Sequence, residues 1–97
     1  MDKRIKTIDR EKDRADREAL YQDLALGRIS VGEAVKRMRK LSKLTQPEFA
    51  KHRGISTAAL RQIESDAGNP TIETLNKVVQ VFGLHVGFVP NAVKAPT

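Results

Sequence analysis

Between Thr45 and Glu64 the chain reads TQPEFAKHRGISTAALRQIE, and no other stretch restricts the fold as much. Thr45-x-x-Glu48 is a capping box, in which each side chain satisfies a backbone N–H that a helix start leaves without a partner. Pro47 falls in the first turn of that helix, where its missing N–H costs little. Gly54 stops the helix, because positive φ is cheap only without a Cβ. Ser56 then caps a second helix running from Thr57 to about Ser65. Two short helices are thus joined by a tight turn. Ala50 lies where they approach most closely, and Phe49, Ile55, Leu60 and Ile63 fasten the pair to a core supplied by the rest of the chain.

The flanking sequence is punctuated in the same way. Ser30-x-x-Glu33 reads as a capping box before Val31, Ala34, Val35, Met38 and Leu41, whose spacing of three and four predicts a helix to about Ser42. After the DAGNP loop, Thr71 caps a helix with Ile72, Leu75, Val78, Val79 and Phe82 turned inward, and Gly83 ends it. Upstream, from about Arg10, Ala15, Ala19, Leu20 and Leu24 form one helical stripe, with opposite charges four apart such as Asp13 and Arg17, and Gly27 as its stop. Residues 1–8 are expected to fray. LHVGFVP alternates Leu84, Val86 and Phe88 with His85, Gly87 and Val89, a strand period. A lone strand cannot satisfy its own backbone. It is either a tail or the partner of a copy from another subunit, and its three large alternating apolar residues favour the second.

Charge narrows the function. The chain has 97 residues and a formal net charge of +6. Lys36 to Arg61 hold eight basic residues (Lys36, Arg37, Arg39, Lys40, Lys43, Lys51, Arg53, Arg61) against one acid, Glu48. That is the footprint expected for a polyanion partner. Four aromatic residues in all argue against a stacking platform for single strands. With no cysteine and only His52 and His85 as histidines, neither a disulfide framework nor a metal site is expected. Ser56 has a better role as a cap than as a nucleophile, so no enzyme and no cofactor is expected. The absence of a long apolar run and the charged N-terminus lead to the expectation of a cytoplasmic protein that does not engage a membrane.

Two helices around a tight turn, one crossing a nucleic-acid backbone and one reading a groove, make a helix-turn-helix. With Ser56 as cap, Thr57, Ala58, Arg61 and Gln62 point outward, the face a recognition helix offers to base edges. Residues 31–83 resemble the Cro/repressor-type (xenobiotic response element) helix-turn-helix family, through LTQPEFAKHRGISTAALRQIES followed by GNPTIETLNKVVQVFGL. LHVGFVP is similar, less specifically, to the C-terminal strand of HipB-like antitoxins, which pair such strands across a dimer.

The resemblance implies roles residue by residue. Thr57, Ala58, Arg61 and Gln62 would read bases, Gln62 by a bidentate bond to adenine, Arg61 on a guanine or else a phosphate, and Ala58 by offering a methyl to thymine or allowing close approach. Gln46 would put its amide on a phosphate or support the recognition helix. Arg37, Lys40, Lys43 and Lys51 would meet phosphates. Ala50, Gly54 and Ser56 would shape the motif, and Arg39 with Glu64 would tie the first core helix to the recognition helix. The family pattern is broken twice: Arg53 stands where an apolar residue is usual, so its stem is expected to lie over the local core, and Asp66 stands where glycine is common.

The expected architecture is therefore all-α, a four-to-five-helix repressor-like domain with a C-terminal strand pairing across a dimer. Its parts are a charged, partly helical extension (1–29), the helix-turn-helix domain (30–83), a dimerisation strand with Leu84, Val86 and Phe88 (84–90) and a flexible tail (91–97). The function that follows is sequence-specific binding of duplex DNA at an inverted repeat by a homodimeric repressor. Two versions stay open. In one, the protein is the autoregulating antitoxin of a toxin–antitoxin operon, with a kinase-like toxin as partner. In the other, it is a stand-alone or phage-type regulator, or mainly a protein-interaction module.

Overall fold

A computed structural model describes residues 3–91, with side chains from Arg10 onward. Five α-helices follow in order: α1 (Lys3–Ala25), α2 (Val31–Leu41), α3 (Gln46–Arg53), α4 (Thr57–Glu64) and α5 (Ile72–Val79), the last extended by a 3-10 turn, Gln80–Phe82. α2 packs against α1 and α4, and α3 against α4. The core is Leu20, Ala34, Val35, Met38, Phe49, Ala50, Leu60, Ile63, Val78 and Phe82. Among the described residues no helix is long and apolar enough to cross a membrane.

The four expected N-caps are in place. Ser30, Thr45, Ser56 and Thr71 each accept a hydrogen bond from the backbone N–H three residues on. Thr45 and Glu48 close the full reciprocal box. The box expected at α2 is only half formed. Ser30 Oγ accepts from Glu33 N–H at 3.1 Å, but it is Asp66 that serves the rest of this helix start, accepting from Ser30 Oγ at 2.8 Å and from Gly32 N–H at 2.8 Å.

Helix ends follow one scheme. At Gly54, φ is +74°, its N–H reaches Lys51 O at 3.2 Å, and Ile55 N–H returns to Ala50 O at 3.0 Å. This is a Schellman turn. A Cβ on Gly54 would meet nothing within 4 Å, so it is the left-handed conformation, not space, that calls for glycine. Lys43 (φ +61°) and Asp66 (φ +59°) close α2 and α4 with the same pair of bonds although neither is glycine. Both side chains have partners elsewhere, Lys43 at Asp13 and Asp66 at Ser30 and Gly32.

Several expectations are corrected. α1 starts at Lys3 instead of near Arg10, and the fraying expected for residues 1–8 falls partly outside the described residues. Ala15 and Ala19 are exposed; the face turned to the domain carries Asp13, Leu20, Asp23 and Leu24 instead. Asp13 does not pair with Arg17, because tertiary packing brings Lys43 to it, while Arg17 lies 5.0 Å over the Phe82 ring. Val31 and Ile72 are 52% and 65% exposed, since each is the first residue of its helix, where the core ends. The segment 84–91 has no strand among the described residues; a single chain offers it no neighbouring strand to pair with. It is held by Val86 N–H donating to Asn76 Oδ1 at 2.8 Å and by Leu84 against the core. The flexible tail expected at 91–97 lies outside the described residues beyond Asn91.

Candidate nucleic-acid interface

α4 is positioned from three directions. Leu60 and Ile63 are buried on its inner side, at 0% and 3% exposure. Its C-terminal end meets the first turn of α2 at Gly32. Its last residue, Glu64, is held by charge: Arg39 Nε donates to Oε2 at 2.7 Å and Arg39 Nη2 to Oε1 at 3.1 Å, a bidentate pair with the Glu64 side chain 3% exposed. Arg39 Nη1 also donates to Leu44 O at 3.1 Å, tying in the turn before α3.

The chain of bonds continues outward. Gln46 Nε2 donates to Glu64 Oε1 at 3.0 Å, and Gln46 Oε1 accepts from Arg61 Nε at 3.3 Å. Both ends of the Gln46 amide are thus engaged within the protein. Arg61 is thereby steadied at its guanidinium while remaining exposed. Ala58 and Gln62 are exposed too, and Thr57 is half-buried. The structure therefore brings the four expected base-reading residues to the outer side of α4. Gln62 leans over the following turn, where a Cβ on Gly68 would come within 2.9 Å of its Oε1.

The expected phosphate residues are less uniform. Lys40 and Lys51 are exposed and make no ion pair among the described residues. Arg37 pairs with Asp23 at 2.8 Å and Lys43 with Asp13 at 3.1 Å. Arg53 is half-buried. Sequence reasoning missed Gly32 and Asn76; a glycine two residues after a cap, inside an apolar helical pattern, was the available sign of close packing.

The carboxylates of this framework titrate low. Hydrogen bonds from Ser30 Oγ and Gly32 N–H hold Asp66 below the usual carboxylate range. Burial pushes Glu64 up, but the bonds from Arg39 and Gln46 outweigh it and its net shift is downward. A carboxylate depressed in the folded state contributes stability above its unfolded pKa and loses it as pH falls through the folded value. Stability should therefore hold near neutrality and drop progressively below about pH 4. Asp66→Asn should make that acid limb shallower in thermal melts; an unchanged limb would remove Asp66 from the account.

The chain belongs to the helix-turn-helix family, whose model matches residues 35–89, more than half of its length. It is similar to the immunity repressor protein of Bacillus phage phi105, with 36% identity over 61 residues. That alignment covers 63% of this chain and 42% of the phage protein, so the chain spans less than half of that relative. No solved structure matches.

Proposed function

We propose that this protein binds duplex DNA sequence-specifically and acts as a dimeric transcriptional repressor. The observation that carries the reading is the two-sidedness of α4: Leu60, Ile63 and Glu64 are buried, while Ala58, Arg61 and Gln62 face outward within a strongly basic segment. Such a helix has the dimensions and donors to enter a major groove. The phage repressor relative supports the same function.

Selection from random duplexes with the purified protein tests it. The expected outcome is an inverted repeat with half-sites about 34 Å apart, the spacing two recognition helices of a dimer require. Enrichment of no sequence would refute it. Gln62→Ala should relax base preference at one position of each half-site at a cost of about 1–3 kcal/mol, whereas Lys40→Ala should weaken all sequences alike. Anisotropy titrations against single-base operator variants separate the two.

The dimer reading has support in the apolar surface. Phe88 is wholly exposed, Val86 and Val89 are exposed beside it, and they border a groove lined by Tyr21, Leu24, Val35 and Val79. A second copy pairing along 84–90 would cover Leu84, Val86 and Phe88. The finer readings diverge here. The HipB-like character of LHVGFVP supports an antitoxin that silences a kinase-like toxin; the phage relative supports a stand-alone regulator. Co-purification with the product of a neighbouring kinase-like gene distinguishes them.

A further inference from the structure

Two of the basic residues expected to meet phosphates are already paired with carboxylates of α1. Lys43 Nζ lies 3.1 Å from Asp13 Oδ1, and Arg37 Nη1 lies 2.8 Å from Asp23 Oδ2. With Lys40, these two bases line one shallow depression between α1 and α2, to which α1 also contributes Asp16. The pairs are open to water: the side chains of Lys43 and Asp13 are 57% and 30% exposed, those of Arg37 and Asp23 26% and 23%. They are therefore exchangeable contacts, not buried ones.

Nor is α1 docked through them alone. Leu20 is fully buried, Tyr21 Oη donates to Phe82 O at 2.8 Å, and Arg17 sits over the Phe82 ring. The helix is anchored at one set of residues and presents carboxylates from another. α1 also lies outside the region that the family model matches.

We propose that Asp13 and Asp23 are intramolecular stand-ins for two DNA phosphates, and that they set the protein's affinity for the nucleic-acid backbone. The inference rests on the DNA-binding reading above. A phosphate must displace each carboxylate from its base; Asp13, freed from Lys43, takes up a cation, whereas Asp23 keeps Arg28, whose Nη1 lies 3.5 Å from Oδ1. Net ion release on binding falls accordingly, flattening the dependence of log K on log salt by about 0.9 for the Asp13–Lys43 pair. Backbone affinity is lowered for every sequence alike.

Anisotropy titrations of the full chain against a duplex of arbitrary sequence, from about 50 to 200 mM salt, test this. Asp13→Asn and Asp23→Asn should each tighten binding about 1.5- to 5-fold at the low-salt end, the range an exposed ion pair supplies, and Asp13→Asn should also steepen the salt slope by about 0.9. Glu18→Gln removes one negative charge from an exposed position of α1 that has no ion pair among the described residues, and measures the effect of net charge alone. In a Lys43→Ala background, Asp13→Asn should no longer tighten binding. Asn variants that bind no tighter than Glu18→Gln, or an Asp13→Asn effect undiminished without Lys43, would overturn the proposal. Failure of the parent and every variant to bind any duplex would instead bring down the DNA-binding reading itself.

Discussion

Replacing Glu64 with alanine is expected to destabilise the fold by about 3 kcal/mol, the low end for breaking a buried ion pair, because the Arg39 side chain keeps 17% exposure. More than one bond is lost. Arg39 Nε and Nη2 lose both acceptors, and Gln46 Nε2 loses its own. A released Gln46 no longer steadies Arg61, so the damage reaches the outer face of α4. Urea titration should show a lower midpoint with an unchanged slope. Replacing both partners, Arg39→Met with Glu64→Leu, should recover most of the stability, since no charge is left buried without a partner. The double variant still leaves Gln46 without its acceptor, so stability should return without a full return of DNA affinity. A Glu64→Ala protein as stable as its parent would show that the pair contributes nothing.

Gly32→Ala is expected to cost a comparable amount, about 3 kcal/mol, the upper end for forcing atoms into a packed site. The sign is the informative part, because by helix propensity alone alanine is better than glycine by about 1 kcal/mol. A Cβ at this position would stand 2.6 Å from Ile63 O, 2.7 Å from Glu64 O and 2.8 Å from Asp66 Cγ. Two of those atoms are backbone of α4 and cannot rotate away, so α2 and α4 must part. Parting them strains the Asp66 bonds to Ser30 and Gly32 and shifts the helix that carries Arg61 and Gln62. A Gly32→Ala variant that melts higher than the parent would show that the close approach is not a constraint.

These two residues show where sequence reasoning stops. Thr45, Ser56, Thr71 and Ser30 were legible as caps because a cap is a contact between residues three apart. Phe49, Leu60 and Ile63 were legible as core because helical periodicity puts them on one face. Val31 and Ile72 have the same periodicity, yet each begins its helix, beyond the reach of the neighbouring elements. On α1 only half of the expected apolar stripe faces the domain: Leu20 and Leu24 do, while Ala15 and Ala19 are exposed. Alanine is small enough to be tolerated on either side, and the helix is fixed on the domain by Leu20, by the Tyr21 bond to Phe82 O and by carboxylates reaching Lys43 and Arg37. None of those contacts is local.

Asp66 is the clearest case. Its sequence context marks only a break from the family pattern, and its composition class says no more than turn. In three dimensions it closes α4 in a left-handed conformation and caps α2 across 34 residues of chain, through Gly32 N–H. Gln46 is similar: an amide in a first helical turn can face a phosphate or a neighbouring helix, and its bond to Glu64 joins residues 18 positions apart.

The amino-acid order by itself determined where α2 to α5 begin and end, which motif they compose and which side of α4 faces outward. These depend on backbone satisfaction and helical period over a few residues. Tertiary structure alone decided which charges are spent inside the protein, on Glu64, Asp13 and Asp23, and which remain exposed, on Lys40, Lys51 and Arg61. Ion pairing depends on distance through space, and the separations of 14, 25 and 30 residues that these pairs span are not encoded in any local pattern.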